Sequence, residues 1–218
     1  MPSVISEPVR AGEFLVSEAN GYRSREAIII ANTTGAEVTF GAGLVLAQRA
    51  VGAATSAAKS GGNTGNATMS AVTVGPGAKV GVYTVRMTAA TAFTVRDPDG
   101  FMIGTGATGV AFADDIVFTM TAGGTPMVAG DGFDVTMAAG DLAYVPFTNA
   151  TNLPAAAVLY GPVTVPATST GRGTGIVRDA EVNAHALQYD SSLSGGGLTA
   201  AKTAAALSLK AAGLIIRS

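Results

Sequence analysis

Alternation of apolar and polar residues is the clearest pattern in the middle of the chain. In VYTVRMT, Tyr83, Val85 and Met87 share one face, while threonine and arginine occupy the other. Three further segments alternate in the same way, and their inward positions are Phe93/Val95, Ile116/Phe118/Met120 and Phe133/Val135/Met137. Turn sequences such as GPGAKVG, DPDG and AGDG separate them. The pattern predicts about six or seven short antiparallel strands that form a small β-sandwich or barrel.

The two flanking regions have a different pattern. AIIIANTTGAEVTFGAGLVLAQ and LAYVPFTNATNLPAAAVLYGPVTV are rich in strand-forming residues, with apolar runs longer than simple alternation gives. Near the end, GGGLTAAKTAAALSLKAAGLIIRS predicts a helix with Thr199 as its N-cap and Gly213 just after its last turn. A short terminal strand follows. The flanks therefore predict an α+β domain, mostly β, with a C-terminal helix.

Composition changes at both ends of the alternating region. All six methionines after Met1 lie between positions 52 and 140, as do five of the eight phenylalanines, and every acid there is Asp. Every Glu lies outside. We therefore predict an arm (1–20), a discontinuous host domain (21–51 and 141–218) and an inserted antiparallel β-sandwich (52–140). The stretch KSGGNTGNATMSA, residues 59–71, is interpreted as the seam of this insertion.

Bulk properties exclude several classes of partner. The net charge of -2 and the lack of a local Lys/Arg cluster give no footprint for nucleic acid. The absence of cysteine excludes disulfides and thiolate metal sites. The uncharged span 142–171 contains four prolines, which argues against a membrane helix. We expect a soluble protein made in the cytoplasm, without a membrane partner.

The flanks resemble the lambda-type bacteriophage head decoration proteins, the protein D family. The resemblance rests on GEFLVSEANGYRSREAIIIA, GAGLVLAQ, YVPF, AAAVLYGPV, VRDAEVNAHALQYD and LTAAKTAAALSLKAAGLIIR, in that order. It covers residues 13–51 and 141–218. The central region departs from the minimal form of the family and resembles the Ig-like accessory domains of phage surface proteins.

The resemblance implies a capsid cement protein on the exterior of the virion. Such proteins are homotrimers that sit at three-fold sites of the expanded head and hold the major capsid protein together. Their N-terminal arm orders on the capsid and adds a strand to a capsid sheet. In this sequence the arm contains one apolar cluster, Phe14, Leu15 and Val16, which we predict to contact the capsid.

Motifs with possible chemistry have simpler interpretations. GTGATG, at 104–109, precedes a strand-like segment rather than the helix that a dinucleotide site needs, and it predicts a glycine-rich hairpin. DPDG, at 97–100, lacks the remaining ligands of a calcium loop and predicts a turn. The Asp-rich central region leaves calcium binding open as an alternative, but we predict neither a metal nor a cofactor.

His185 is the only histidine in the chain. A serine triad that used Asp179 or Asp190 would have to assemble in space, and the chain has no G-x-S-x-G motif. We therefore predict a structural protein and not an enzyme. The rival interpretations are a hydrolase that uses His185 and an adhesion or glycan-binding module of another virion protein. A cell-surface ligand of the inserted domain stays open.

Overall fold

The computed structural model describes residues 7–150 and 153–218, and the chain divides into two compact units. The discontinuous unit comprises Met1–Arg49 and Leu142–Ser218, and the central unit comprises Ala50–Asp141. Each unit has hydrophobic core clusters of its own. The protein is mostly β, with one long helix near its C-terminal end, as the sequence predicts.

The discontinuous unit contains ten strands, two helices and a 3-10 turn, Ala184–Ala186, among its described residues. In chain order these strands and helices are β1 (Leu15–Glu18), α1 (Gly21–Ser24), β2 (Arg25–Ala31), β3 (Val38–Phe40), β4 (Val45–Gln48), β14 (Tyr144–Pro146), β15 (Ala155–Leu159), β16 (Val163–Val165), β17 (Thr170–Ile176), β18 (Ala180–Asn183), α2 (Gly195–Ala211) and β19 (Leu214–Arg217). The central unit contains β5 (Val51–Ala58), β6 (Thr68–Met69), β7 (Thr73–Val74), β8 (Gly81–Met87), β9 (Ala92–Arg96), β10 (Met102–Ala107), β11 (Ala111–Ala113), β12 (Ile116–Thr121) and β13 (Gly132–Ala139).

Five strands of the discontinuous unit close into a barrel in the order β14–β2–β17–β15–β4. The longest pairing is antiparallel and joins all seven residues of β2 to β17. One pairing is parallel and joins β14 to β2 at Tyr144 and Ile30, and the antiparallel pairing of β4 with β14 closes the barrel. Both flanks of the chain contribute strands, so neither flank could form the barrel alone.

Alternate glycines in β17 make room for the filling of the barrel. A Cβ on Gly173 would lie 2.9 Å from Val163 Cγ2 and 3.0 Å from Ile30 Cδ1. Gly175 similarly faces Ile28 Cδ1 at 3.0 Å. The sequence TGRGTGI therefore alternates small inward positions with outward polar residues, and the large side chains of β2 occupy the space that the glycines leave.

Helix α2 packs through small residues. Ala201, Ala205 and Leu209 are buried at a spacing of four residues, which places them on one face. Gly213, with φ +84, ends the helix in the left-handed conformation, and β19 then pairs in parallel with β18. Sheet order is β1–β18–β19. The predicted helix end and terminal strand are confirmed.

The predicted helix start is wrong. The helix begins at Gly195 with Ser194 in the N-cap position, and the Thr199 hydroxyl donates to the Gly195 carbonyl at 3.4 Å inside the helix. Glycine is a poor helix former, so the sequence GGG suggests a loop. The helix extends into these residues nonetheless.

The central unit consists of two sheets around one core. One sheet has the order β10–β9–β8–β13–β5, and in the other β12 pairs with β11, β6 and β7. The rings of Phe93, Phe112 and Phe118 meet between them, with centroids 5.4–6.2 Å apart. All the residues predicted to face inward are buried, so the predicted inward faces of these strands are confirmed.

Residues 59–71 do not form the junction between the units. They follow β5 and are bound inside the central unit, where the Asp131 carboxylate accepts backbone N–H groups of Thr64 and Gly65 at 3.0 Å. Asn63 and Gly132 exchange two further hydrogen bonds, of 2.8 and 2.9 Å. The interpretation of this stretch as a seam is wrong, because a turn-rich composition is equally suited to a loop held by a buried carboxylate.

Candidate functional site

The segment before β1 is fastened to the discontinuous unit. Gly12 N–H donates to the Tyr160 carbonyl at 3.1 Å, and Leu15 N–H donates to the Gly12 carbonyl at 3.0 Å. Gly12 has φ +75, and a Cβ there would lie 3.0 Å from the Tyr160 ring. Glycine is required at this position on both grounds. Residues 1–6 of the predicted arm lie outside the described residues.

The three residues predicted to contact a capsid occupy different environments. Phe14 is fully buried in the core that also holds Val182 and Leu209. Leu15 is partly buried against the same core, and Val16 is 55% exposed. In this structure Val16 alone of the three offers its side chain to a partner, so a capsid contact through all three stays a prediction.

Strand β1 lies at the edge of its sheet. It pairs with β18 on one side, with a register shift between Leu15 and Ser17, and among the described residues no strand pairs with its other side. The Phe14 carbonyl accepts the Asn183 N–H at 2.8 Å, which extends the pairing toward the N-terminus. An edge of this kind can accept a further strand through backbone hydrogen bonds.

Charged groups hold the C-terminal half of β1 in place. Glu18 accepts hydrogen bonds from Arg25 and from the Ser24 hydroxyl, and these bonds lower the pKa of its carboxyl. Arg25 also stacks over the Tyr160 ring, 4.1 Å from its centroid. Glu181 on β18 accepts from Arg217 and from the Ser17 hydroxyl, and the Arg217 hydrogen bond lowers its pKa.

Sequence reasoning missed this supporting network. Its members come from positions that are far apart in the chain, and no local motif connects Gly12 with Tyr160 or Ser17 with Glu181. The one available signal was the glycine next to the apolar cluster in AGEFLV. A glycine there is compatible with a close backbone approach, but it does not identify the partner.

A cavity of about 430 Å³ opens beside β2, with an apolar floor and a hydroxyl-rich rim. Phe40, Val145 and Pro146 line the floor. Two polar groups of the lining are already engaged inside the protein: the Asn32 amide donates to three carbonyls, and Asp190 accepts from Ser192. No buried side-chain polar atom in the described residues lacks a partner, so the cavity offers no orphaned group to a ligand.

The predicted turn DPDG joins β9 to β10 through a hydrogen bond of 3.0 Å from Gly100 N–H to the Asp97 carbonyl, which confirms it. Lys79 Nζ lies 2.6 Å from both Asp97 and Asp99, so a lysine occupies the space between these carboxylates. Across residues 7–150 and 153–218, no group of three or more Asp, Glu or His side chains lies close enough together to hold a metal ion.

GTGATG is not a hairpin. Gly104 and Gly106 lie within β10, under the rings of Phe112 and Phe93, and the chain then turns at Gly109 into β11 of the second sheet. A Cβ on Gly106 would lie 2.4 Å from the Phe93 ring. The glycines therefore leave room for the Phe93 and Phe112 rings to pack against β10. Both rings belong to residues outside the motif, so the motif alone does not reveal this role.

His185 is exposed in the 3-10 turn Ala184–Ala186, where its N–H donates to Asn183 Oδ1. The two carboxylates considered as its partners are engaged elsewhere: Asp179 accepts from Arg23 at 2.6 Å, and Asp190 accepts from Ser192.

Within the part of the chain that the structure describes, no helix is long and apolar enough to cross a membrane.

Comparison with known proteins identifies a class of structural virion proteins. The family model of the bacteriophage lambda head decoration protein D matches residues 4–214, which is nearly the whole chain. The chain belongs to this family, and it is a phage head decoration protein. Family membership implies binding to the capsid and a location on the virion, and the family is structural rather than enzymatic.

The other comparisons add little. No curated protein matches the chain. Two crystal forms of FlgL from Xanthomonas campestris match 45% of this chain, with 20% identity and a TM-score of 0.33. The match spans 33% and 32% of those chains, about a third of their length.

Proposed function

We propose that the protein is a capsid cement, which binds as a homotrimer at three-fold sites of the expanded head and stabilises the lattice of the major capsid protein. The observation that carries this proposal is the family match across residues 4–214, which includes both segments of the discontinuous unit. The protein is made in the host cytoplasm and assembles onto the exterior of the head.

The test is co-sedimentation of the purified protein with undecorated heads, both unexpanded and expanded, followed by imaging of the bound density. Saturable binding to expanded heads at three-fold positions is expected. A matched comparison of bare and decorated heads under heat or chelation should show a higher rupture threshold for the decorated ones. Binding to neither form, or binding without stabilisation, would contradict the cement role.

The contact is proposed to use the residues before Gly12 together with the outer edge of β1. Two observations support this. The edge is open to a further strand, and Val16 is exposed beside it. Each arm contributes a modest affinity, and three arms on one trimer act multivalently, so release from the capsid is slow. The arm begins ahead of Gly12, because the chain is fastened to Tyr160 from that point.

Removal of residues 1–9 tests the arm without disturbing the core. We expect the truncated protein to fold and to lose affinity for expanded heads at least tenfold, with faster release. Val16→Lys should weaken binding in the same assay. Exchange of exposed Leu207, on α2, for Lys is the matched control and should bind normally. Unchanged binding after the truncation would exclude the arm mechanism.

The central unit is proposed to be an Ig-like domain that projects away from the capsid. Its first and last residues are adjacent, since Gly140 N–H donates to the Ala50 carbonyl at 3.0 Å. A module with neighbouring ends can be accommodated at an exposed loop without disturbing the domain that carries it. Imaging of decorated heads tests this placement, because the extra density must lie outside the capsid contacts.

A further inference from the structure

Strand β5 leaves one side of the larger sheet of the central unit open. It pairs with β13 on one side, and among the described residues no strand pairs with its other side. With eight residues, it is as long as β13 itself. Ser56, Ala57 and Ala58 are exposed in succession, so the open side is accessible to a partner.

The register identifies the backbone groups that face outward. Lys59 N–H donates to the Gly132 carbonyl at 3.0 Å, which makes Lys59 and Gly132 a hydrogen-bonded pair. In an antiparallel ladder such pairs alternate, so Ala57 and Thr55 also direct their backbone groups toward β13. The N–H and C=O groups of Ala54, Ser56 and Ala58 therefore point away from β13, toward the open edge of the sheet.

This edge lacks the features that usually prevent strand pairing. The sequence VGAATSAA contains no charged residue and no proline. Its one irregularity in register lies near Val51, and residues 54–58 pair regularly with β13. Strand β10, at the opposite side of the sheet, is shorter, has a register shift next to Met102 and places that residue opposite Arg96.

We propose that the open edge of β5 binds β5 of a second copy of this chain, antiparallel, so that the two larger sheets become one continuous sheet. The outward groups allow a register in which Ser56 lies on the two-fold axis and Ala54 opposes Ala58. Thr55 of each copy then opposes Ala57 of the other. Every cross-strand pair is small and uncharged, so no like charges oppose each other across the two copies.

This pairing goes beyond the proposed cement role, because it joins copies of the chain through the central unit and does not involve the capsid. The partner is a second copy for two reasons. The strand is its own complement in charge and side-chain size, and both copies supply the same three outward residues. On a decorated head the pairing would connect neighbouring decoration proteins above the lattice they bind.

Cysteine crosslinking of the full chain tests the pairing, and the natural chain contains no cysteine to interfere. Ser56→Cys would place two sulfur-bearing residues opposite each other at a Cα separation of about 5.5 Å, within the range that a disulfide spans. Mild oxidation is expected to give a product of twice the chain mass on a non-reducing gel. Thr136→Cys, exposed on the neighbouring β13, is the matched control and should give none.

A disrupting variant provides the second measurement. Ser56→Pro removes an outward N–H and leaves the ladder with β13 intact, so the variant should fold, as a thermal melt can verify. Sedimentation of the full chain is expected to show a concentration-dependent species larger than the basic oligomer, and this species should be lost in the variant. Binding to expanded heads should persist, which separates this result from the cement function.

Four outcomes would overturn the proposal, and the first three concern association of the chain with itself. These three are equal crosslinking of Ser56→Cys and Thr136→Cys, association that survives Ser56→Pro, and crosslinking through Thr105→Cys on β10 instead. The third would show that the sheet pairs through its other side. Loss of capsid binding by otherwise normal Ser56→Pro protein would show that β5 contacts the capsid rather than a second copy.

Discussion

Phe14 and Val16 show how much neighbouring residues can differ in role. Both belong to one apolar cluster in the sequence, but Phe14 is fully buried and Val16 is 55% exposed. Simple alternation would place positions 14 and 16 on one face, but Phe14 lies just before β1, and the register shift between Leu15 and Ser17 interrupts the alternation at Val16. Phe14 therefore supports the fold, and Val16 is available for binding.

Truncation of these two residues should separate stability from binding. Phe14→Ala should lower the free energy of unfolding by about 3–5 kcal/mol, because it leaves a cavity in the core. Val16→Ala should change it by less than about 1 kcal/mol. Urea unfolding of both variants measures the difference. Equal losses would show that Phe14 is not part of the core.

Asp131 should make the central unit sensitive to acid. Backbone N–H groups of Gly65, Thr64 and Val128 bind its carboxylate and lower its pKa, so the ionised form stabilises the fold. This stabilisation is fully present above the unfolded pKa of about 3.9 and is lost as the pH falls through the folded pKa.

Asp131→Asn tests this prediction. The variant should melt at a lower temperature at pH 7, and its melting temperature should fall less than that of the natural protein between pH 5 and pH 2. Asp114→Asn is the control, because Asp114 accepts only the N–H of its neighbour Asp115 among the described hydrogen bonds. Parallel pH profiles for the natural protein and Asp131→Asn would contradict the assignment.

At the scale of elements, α2 combines a well-packed face with a weak first turn. Ala201, Ala205 and Leu209 are buried, whereas the helix begins with three glycines. A Cβ on Gly196 or Gly197 would meet nothing within 4 Å, and neither has a positive φ. Gly195, by contrast, has φ +51. The glycines thus reduce helix stability for no steric reason at two of the three positions.

Gly197→Ala should stabilise the protein by about 0.5–1 kcal/mol, because alanine has the higher helix propensity and restricts the unfolded chain. Gly195→Ala is the matched control and should be neutral or destabilising, since its backbone is left-handed. Chemical denaturation of the two variants gives the comparison. A loss of stability in Gly197→Ala would show that the helix does not begin where the structure places it.

At the scale of the whole molecule, the chain passes between the two compact units twice, after Arg49 and after Asp141. Gly140 N–H donates to the Ala50 carbonyl within the central unit, and Leu142 N–H donates to the Arg49 carbonyl within the discontinuous one. The barrel and the sheet that carries β1 are built entirely from residues outside the central unit. Folding and capsid binding should therefore not require the central unit.

Replacement of residues 51–139 by an Asn-Gly turn tests this independence. We expect the shortened protein to fold cooperatively and to bind expanded heads with affinity within about threefold of the natural chain, since every proposed contact is retained. Circular dichroism melting and co-sedimentation provide the two readouts. Phe14→Ala in the shortened chain serves as a destabilised control. An unfolded product would show that the central unit supports the barrel.

The sequence by itself determined the class of the fold, the inward faces of the long central strands, the end of α2 and the terminal strand. It also carried the family resemblance that the family match bears out. These features depend on local order: alternation, helix-ending glycine and runs of strand-forming residues are each contained within a few neighbouring positions.

Only the tertiary structure decided where Phe14 lies, which residues hold β1 and what residues 59–71 do. Each of these depends on pairs that are distant in the chain, such as Leu15 with Val182, Gly12 with Tyr160 and Gly65 with Asp131. A local pattern states that a side chain is apolar or that a loop is glycine-rich. Burial and hydrogen bonding need a partner, and the fold alone brings that partner into contact.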